Sequence, residues 1–289
     1  MPNRVSGYCV LAAVLMLASV HVAAHDLYSL WRDARGGEYR TPDVEELNIA
    51  EALFVRQLEG ETGAALNNAW QRLGFHVVLM QVADGNFVVV HERAARKNGR
   101  GFYVFNSKAS GTVVLQAPHS YKDRYTGELA LKFFAENRFA AVALNSVPRS
   151  ASADVAHLSQ SYFNAFSRAY ARVYPQGRVI QLHGFAQEKR RTPQGRGADV
   201  ILSAASRWAS ATVRDIGNCL PPVLPETLRI YPRDVSELGG LRNANAAMLR
   251  AMGFDGFAHV EISKPLRQRL RDNATLRTRF AVCFNAETL

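Results

Sequence analysis

The stretch FHVVLMQVADGNFVVVHE, residues 75–92, decides the fold class of this chain. Two runs rich in β-branched and other apolar residues flank ADGN (83–86), in which Asp-Gly is a strong signal for a hairpin turn. Two more runs of the same kind follow, GFYVFNS at 101–107 and TVVLQAP at 112–118. Together these four runs predict an antiparallel meander that leads into a buried strand.

Beyond this meander, predicted helices alternate with short buried strands. The pattern is typical of α/β proteins, and the initial meander predicts a mixed central sheet with helices on both faces. Residues 26–42 are polar and are expected to be irregular, and the proline-containing residues 221–236 are expected to be irregular or partly helical. The remaining strands are predicted over residues 139–144, 178–183, 198–203 and 256–262, and the helices over residues 43–59, 62–73, 126–138, 154–172, 243–252, 265–272 and 276–286.

The N-terminus has the three parts of a secretory signal. Arg4 precedes an apolar run from Tyr8 to Val20, and small residues lead up to Ala24. The run is shorter than the roughly 20 residues that span a bilayer, so we expect cleavage after Ala24 and no stable membrane insertion afterwards. This predicts a signal peptide over residues 1–24 and a periplasmic or secreted protein.

No linker rich in serine, glycine or proline divides the rest of the chain. We therefore predict a helical N-terminal extension over residues 25–74 and a single α/β domain over residues 75–289. Of three cysteines, Cys9 lies in the apolar run, which leaves Cys219 and Cys283. Two cysteines in an oxidising compartment favour one disulfide over the alternative of two buried thiols.

Composition excludes several function classes. With 48% hydrophobic and 21% charged residues, the chain is neither a disordered nor a fibrous protein. Its 35 basic and 25 acidic residues give a net charge of +10, which fits an anionic substrate. The basic residues are scattered and lack the interleaved aromatic residues of single-strand binders, so no nucleic-acid partner is expected.

Three predicted strands end in polar residues that a buried strand has no packing reason to carry. His119 follows TVVLQAP, His183 ends RVIQLH, and Glu261 lies near the end of FAHVEI. Ligands of open α/β sheets bind beyond the carboxyl ends of the strands, so these residues are expected to converge. Catalytic zinc commonly takes two histidines, one carboxylate and a water. His119, His183 and Asp123 are therefore predicted to hold one Zn²⁺ per chain, with Glu261 as the general base.

Other assignments of these residues remain open. A histidine at the end of a strand is often simply a hydrogen-bonded loop residue. Glu128 is an alternative to Asp123 as the carboxylate ligand, and His157 is a rival ligand that we place on a predicted helix. His259 lies two residues before Glu261 on the same strand face and is a candidate neighbour of the ligands.

Four segments around these residues resemble a known group of hydrolases. They are APHSYKDRYTGELA (117–130), QLHGFA (181–186), LGGLRNANA (238–246) and HVEISKPLR (259–267). They are similar to motifs of the N-formylglutamate amidohydrolases and the phage-type poly-γ-glutamate hydrolases, relatives of the zinc carboxypeptidases. The resemblance implies a zinc-carboxypeptidase-like (phosphorylase/hydrolase-like) fold, with metal ligands at His119, Asp123 and His183 and the base at Glu261.

The resemblance also implies metal-assisted hydrolysis of an amide bond. The expected substrate is a small molecule or peptide that bears a carboxylate, such as an N-acyl amino acid, a γ-glutamyl compound or a cell-wall peptide. Arg207, Arg242 and Arg267 are candidates to bind this carboxylate, and Asn243 is a further candidate contact. The alternatives are a non-catalytic cell-envelope binding protein on a degenerate hydrolase fold, and an esterase or deacetylase with the same metal site.

Overall fold

A computed structural model describes residues 26–82, 85–109, 111–149 and 153–285. Within them, nine strands form one sheet in the order β1-β2-β3-β5-β4-β6-β9-β7-β8. The strands are β1 (Phe75–Val82), β2 (Gly85–Glu92), β3 (Phe102–Asn106), β4 (Val113–Ala117), β5 (Ala141–Leu144), β6 (Arg178–Phe185), β7 (Val200–Ser203), β8 (Leu228–Ile230) and β9 (Phe257–Ser263).

The sheet is mixed and begins with an antiparallel meander, which confirms the predicted fold class. Strands β1, β2 and β3 pair antiparallel, and β3 then pairs antiparallel with β5. Strands β5, β4, β6 and β9 run parallel to their neighbours. Strand β7 is antiparallel to β9 and parallel to β8. The sequence analysis expected the meander to lead into β4, but β5 lies between β3 and β4, so β3 pairs with β5 instead.

The helices cover both faces of the sheet, also as predicted. Strand β4 shows why: Val113 and Leu115 face one apolar core, and Val114 faces the other. Helices α1, α4, α7, α9 and α10 pack in the first core and α2, α3, α5 and α8 in the second. The α-helices of the described residues are α1 (residues 26–34), α2 (Val44–Leu58), α3 (Ala64–Arg72), α4 (Thr126–Glu136), α5 (Tyr162–Val173), α6 (Pro193–Arg196), α7 (Ala211–Val223), α8 (Ala244–Ala251), α9 (Lys264–Asp272) and α10 (Ala274–Val282).

Residues 26–34 form a helix, so the prediction of an irregular segment there was wrong. Leu27, Trp31 and Ala34 are all buried, and their spacing places them on one face of a helix. The polar residues between them conceal this stripe in the sequence. Residues 221–236 contain the end of α7 and strand β8, so this segment is more regular than expected; most of α7 was not predicted.

The helix predicted over residues 154–172 begins only at Tyr162. Ser161 caps it by accepting a hydrogen bond from the backbone N–H of Asn164, which fixes the start of the helix there. His157 therefore lies in a turn and not on a helix face.

A disulfide joins Cys219 in α7 to Cys283 at the end of α10, across 64 positions of sequence. This is the pairing predicted from the sequence. The predicted signal peptide over residues 1–24 lies outside the described residues. No helix in the described ranges combines the length and apolar character needed to cross a membrane.

Candidate metal centre

The strand order brings the predicted site residues together. Strands β4, β6 and β9 are neighbours and parallel, so their carboxyl ends lie at one edge of the sheet. His119 follows the end of β4, His183 lies in β6, and Glu261 lies directly beside His183 in β9. His259 occupies the position two residues earlier in β9, beside Gln181.

Three lone-pair atoms of different side chains converge at this edge. The Nδ1 atom of His119 lies 3.2 Å from Nδ1 of His183 and 3.4 Å from Oδ2 of Asp123. Nδ1 of His183 lies 3.8 Å from the same Asp123 oxygen. Zinc bond lengths of about 2.0–2.1 Å place tetrahedral ligand atoms about 3.3–3.4 Å apart. The donor types and their separations therefore fit a small divalent cation, although the distance between His183 Nδ1 and Asp123 Oδ2 is slightly long.

The loop after β4 fixes the position of Asp123. The backbone N–H groups of Lys122 and Asp123 both donate to the carbonyl of His119, which forms a turn that returns Asp123 toward the histidine. The backbone N–H of Gly184 donates to Oδ2 of Asp123 at 3.0 Å. This contact ties the carboxylate to β6 directly after His183.

A second carboxylate lies behind His119. Nε2 of His119 is 2.8 Å from Oδ1 of Asp154, and Arg149 donates to the other oxygen of Asp154 at 2.7 Å. Burial opposes a charge on His119, yet hydrogen bonds to Asp123 and Asp154 outweigh it and raise its pKa above the usual value. Burial opposes a charge on Asp154 too, but His119 and Arg149 lower its pKa to about 2. A carboxylate in this position orients a metal-binding histidine and increases its basicity.

His183 is held in the neutral state in which imidazole binds metals. Burial, together with nearby His259 and His119, lowers its pKa well below the usual value. Its Nε2 atom lies 2.8 Å from Oε1 of Gln181, which leaves Nδ1 facing His119 and Asp123.

A second group of possible ligands adjoins the first through His183. The rings of His183 and His259 are 4.1 Å apart, and Nε2 of His259 lies 3.3 Å from Oε1 of Glu261. Oε2 of Glu261 and Nδ1 of His259 are buried and have no hydrogen-bond partner among the described residues. Buried polar atoms rarely lack a partner, so the Glu261 oxygen has capacity for a ligand or a water at this position.

The two alternative ligands lie outside these groups. Glu128 on α4 pairs with Lys132 at 3.1 Å. His157 is exposed, and its Nδ1 atom lies 3.3 Å from Oδ2 of Asp154. Burial lowers the pKa of His157.

A cavity of about 750 Å³ opens over the site. The histidines, Asp123 and Glu261 line its floor, and its remaining charged residues are basic, which makes the cavity attractive to anions. These basic residues are Lys122, Arg124, Arg149, Lys189, Arg190, Arg242, Lys264 and Arg267.

The four predicted substrate contacts have different surroundings. Arg242 is exposed and lines the cavity, whereas Arg207 is exposed and is not among the lining residues. Arg267 lines the cavity but is buried, and its guanidinium donates to the carbonyls of Arg124, Phe185 and Ile262. Asn243 is also buried in the wall, and its amide is engaged in hydrogen bonds with Ala246 and Gln181.

Sequence reasoning missed Asp154 and Gln181. Asp154 is 35 positions from His119, and no motif spacing connects them. Gln181 carried a usable signal, because residues two apart on a strand share a face and His183 was already a candidate. His259 was expected only as a neighbour, although its geometry also allows a ligand role.

No protein-family model matches this chain, and none of the curated proteins matches it. A solved structure from Shewanella denitrificans OS217, described as a "putative metallopeptidase", is similar to 82% of this chain and 91% of its own. Its sequence identity to this chain is 11% and the TM-score is 0.34. A likeness of this size carries no argument about activity.

Proposed function

We propose that this protein is an exported zinc-dependent hydrolase that cleaves an amide bond in a carboxylate-bearing substrate. The observation that carries the proposal is the convergence of His119 Nδ1, His183 Nδ1 and Asp123 Oδ2 within 3.8 Å of one another. Three lone-pair atoms this close repel each other unless a proton or a cation lies between them. Two imidazoles and one carboxylate are a donor set that zinc prefers.

Zinc bound by these residues would act as a Lewis acid that polarises the scissile carbonyl and lowers the pKa of water. Glu261 lies beside His183, and its Oε2 atom, which has no hydrogen-bond partner among the described residues, can accept the proton of an attacking water. The same carboxyl group can then hand that proton to the leaving amine. Nε2 of His259, 3.3 Å from Oε1, holds the Glu261 carboxylate in place.

The basic rim of the cavity supports an anionic substrate. Arg242 forms no hydrogen bond or ion pair with the described residues, so its guanidinium is available for a substrate carboxylate. N-acyl amino acids, γ-glutamyl compounds and cell-wall peptides all carry such a group. The resemblance of the four segments to N-formylglutamate amidohydrolases and poly-γ-glutamate hydrolases agrees with this class. The disulfide and the predicted signal peptide support an exported protein.

Metal content of the purified protein, measured by mass spectrometry, tests the site. We expect about one zinc per chain in the wild type and none in the His119→Ala and His183→Ala variants. His76→Ala is the matched control, because His76 is exposed on β1 and lies outside both ligand groups. A wild-type protein that takes up no metal after zinc is added would rule out the proposed function.

The Glu261→Gln variant tests whether Glu261 is a general base or a metal ligand. We expect this variant to retain zinc and to hydrolyse amide substrates about 10²–10⁴-fold more slowly. Loss of zinc in this variant would instead make Glu261 a ligand. A comparison of amide with ester substrates tests the esterase or deacetylase alternative. Zinc uptake and substrate binding without turnover in the wild type would indicate a binding protein.

A further inference from the structure

A chain of buried polar side chains runs from the start of α8 to α5 and contacts His183 of the metal centre through Gln181. It links Asn243, Gln181, Gln116 and Ser167, which are between 0% and 3% exposed. Ser167 lies on α5, Gln116 on β4 and Gln181 on β6, so the chain runs across two neighbouring strands on the face of the sheet that α5 and α8 cover. Such networks are costly to bury unless every donor meets an acceptor, which fixes the direction of each hydrogen bond.

The direction is set at Asn243. Asn243 is the N-cap of α8, and its Oδ1 atom accepts a hydrogen bond from the backbone N–H of Ala246 at 3.0 Å. Because a backbone N–H can only donate, the amide of Asn243 cannot be turned around. Its NH₂ group must therefore face Gln181, to whose Oε1 atom it donates.

The orientation of Gln181 follows from that of Asn243. Since Oε1 of Gln181 accepts from Asn243, an oxygen also faces His183 Nε2, at 2.8 Å. Two acceptors cannot form a hydrogen bond, so Nε2 of His183 carries the proton. In the neutral ring, Nδ1 of His183 is then unprotonated, and this is the atom that faces His119 and Asp123.

The opposite end of the chain agrees with this direction. Nε2 of Gln181 donates to Oε1 of Gln116 at 2.9 Å, and Nε2 of Gln116 donates to the hydroxyl of Ser167 at 2.9 Å. The hydroxyl of Ser167 donates in turn to the carbonyl of Phe163 at 2.9 Å. The backbone N–H of Ala246 at one end and the backbone carbonyl of Phe163 at the other therefore require the same donor-to-acceptor direction along the chain of hydrogen bonds.

We propose that Asn243 and Gln181 are positioning residues that select the tautomer of His183 and so keep its Nδ1 atom available to a metal ion. This inference rests on the metal centre of the proposed function. The cap of a helix thus determines which nitrogen of a histidine on a neighbouring strand is free. A proton on Nδ1 would occupy the lone pair that the metal needs and would weaken metal binding.

Asn243→Asp tests the direction of the chain with almost no change in shape. The ionised carboxylate of this variant still caps α8, but its second oxygen faces Gln181 as an acceptor. Gln181 must then turn its NH₂ group toward that oxygen, and His183 Nε2 faces a donor. We expect the proton to move to Nδ1 and zinc affinity at pH 7.5 to fall about 10–100-fold.

Asn273→Asp is the matched control. Asn273 caps α10 in the same way, by accepting from the backbone N–H of Leu276 at 2.9 Å, but it is exposed and lies outside the cavity. We expect its zinc affinity to equal that of the wild type. Circular dichroism of both variants checks that the fold is intact.

Gln181 provides an independent pair of variants. Gln181→Glu keeps an acceptor against His183 and Asn243, and Gln116 can turn its NH₂ group toward the second oxygen, so we expect zinc affinity at or above that of the wild type. Gln181→Leu removes the acceptor, and we expect the same loss of about 10–100-fold as for Asn243→Asp. If Gln181→Glu binds zinc as weakly as Gln181→Leu, the role of Gln181 is only structural and the proposal is wrong.

Nitrogen NMR of the metal-free wild type reads the tautomer directly. A proton on Nε2 of His183 supports the proposal, and a proton on Nδ1 overturns it. This spectrum requires neither zinc nor activity, so its result is separable from the proposed function. If the wild type binds no zinc, the proposed hydrolase function is wrong, but the tautomer of His183 can still be measured.

Discussion

Replacing Asp154 with Asn tests whether the carboxylate behind His119 tunes the metal centre. In the wild type, Oδ1 of Asp154 lies 2.8 Å from His119 Nε2, and Oδ2 lies 2.7 Å from Nε of Arg149. Asparagine has nearly the same shape, so the variant removes the negative charge and keeps the packing. Its amide oxygen can still accept from His119 Nε2–H, which preserves the orientation of the ring.

Two effects are expected in this variant. Loss of a carboxylate behind a metal-binding histidine typically weakens metal binding about 10–100-fold, or about 1.4–2.7 kcal/mol. Since one hydrogen bond to His119 remains in Asp154→Asn, we expect zinc affinity to fall about 10-fold in this variant. In Asp154→Ala, which loses that bond as well, we expect zinc affinity to fall about 100-fold. The pKa of His119 should also fall, because Asp154 is one of the two carboxylates that raise it.

The stability of the metal-free protein changes in a defined pH range. The raised pKa of His119 means that its pairing stabilises the folded state below the pKa of an unfolded histidine, about 6.5. That contribution disappears as the pH rises through the raised pKa. Asp154→Asn should therefore destabilise the metal-free protein more at pH 6 than at pH 8.

Competition with a chromophoric chelator at pH 7.5 gives the zinc affinity, and an NMR titration gives the pKa of His119. Asp234→Asn is the control. Asp234 also pairs with an arginine, Arg233, and has a lowered pKa, but it does not line the cavity. If Asp154→Asn leaves both the zinc affinity and the pKa of His119 unchanged, the proposed tuning by this carboxylate is refuted.

Three further predictions concern stability and substrate binding. Changing Cys219 and Cys283 together to Ser opens a loop of 64 positions and should cost about 4 kcal/mol in urea unfolding; an unchanged midpoint would contradict this. Trp31→Ala should cost about 3–5 kcal/mol and also weaken zinc binding, because Trp31 stacks at 4.6 Å on Tyr121 in the metal-binding loop; a stability loss with full zinc affinity would show that the loop holds without it. Arg242→Ala should raise KM for a carboxylate-bearing substrate at unchanged kcat and leave its neutral amide analogue unaffected; equal effects on both substrates would exclude a role in carboxylate binding.

The fold class and the convergence of the strand ends could be predicted from the sequence. Both depend on local patterns: alternating apolar residues specify strands, and a polar residue after a buried strand marks its carboxyl end. His119 and His183 were found in this way, although they are 64 positions apart. The rule requires only that their strands be parallel and near each other, and β4 and β6 are direct neighbours.

Features set by tertiary contact could not be predicted. Helix α1 buries only a narrow stripe, and its polar residues dominate the local pattern. The helix before β6 starts only at Tyr162, because Ser161 caps it there, and Asp154, at the start of the predicted helix, instead contacts His119 and Arg149. Each of these outcomes involves a contact with a residue far away in the sequence, and local hydrophobic periodicity carries no information about such contacts.

Below the raised pKa of His119, a proton occupies the position in the metal-free protein that a metal ion would take. Since the pKa of His183 is lowered, the pair then holds a single positive charge, on His119. With Nε2 facing Asp154, the other proton of His119 lies on Nδ1, 3.2 Å from His183 and 3.4 Å from Asp123. Proton and metal thus compete for the same lone pairs, and binding of one displaces the other. Below the raised pKa of His119, the zinc dissociation constant should therefore increase about tenfold per pH unit, and a constant that stayed flat there would show that His119 is not a ligand.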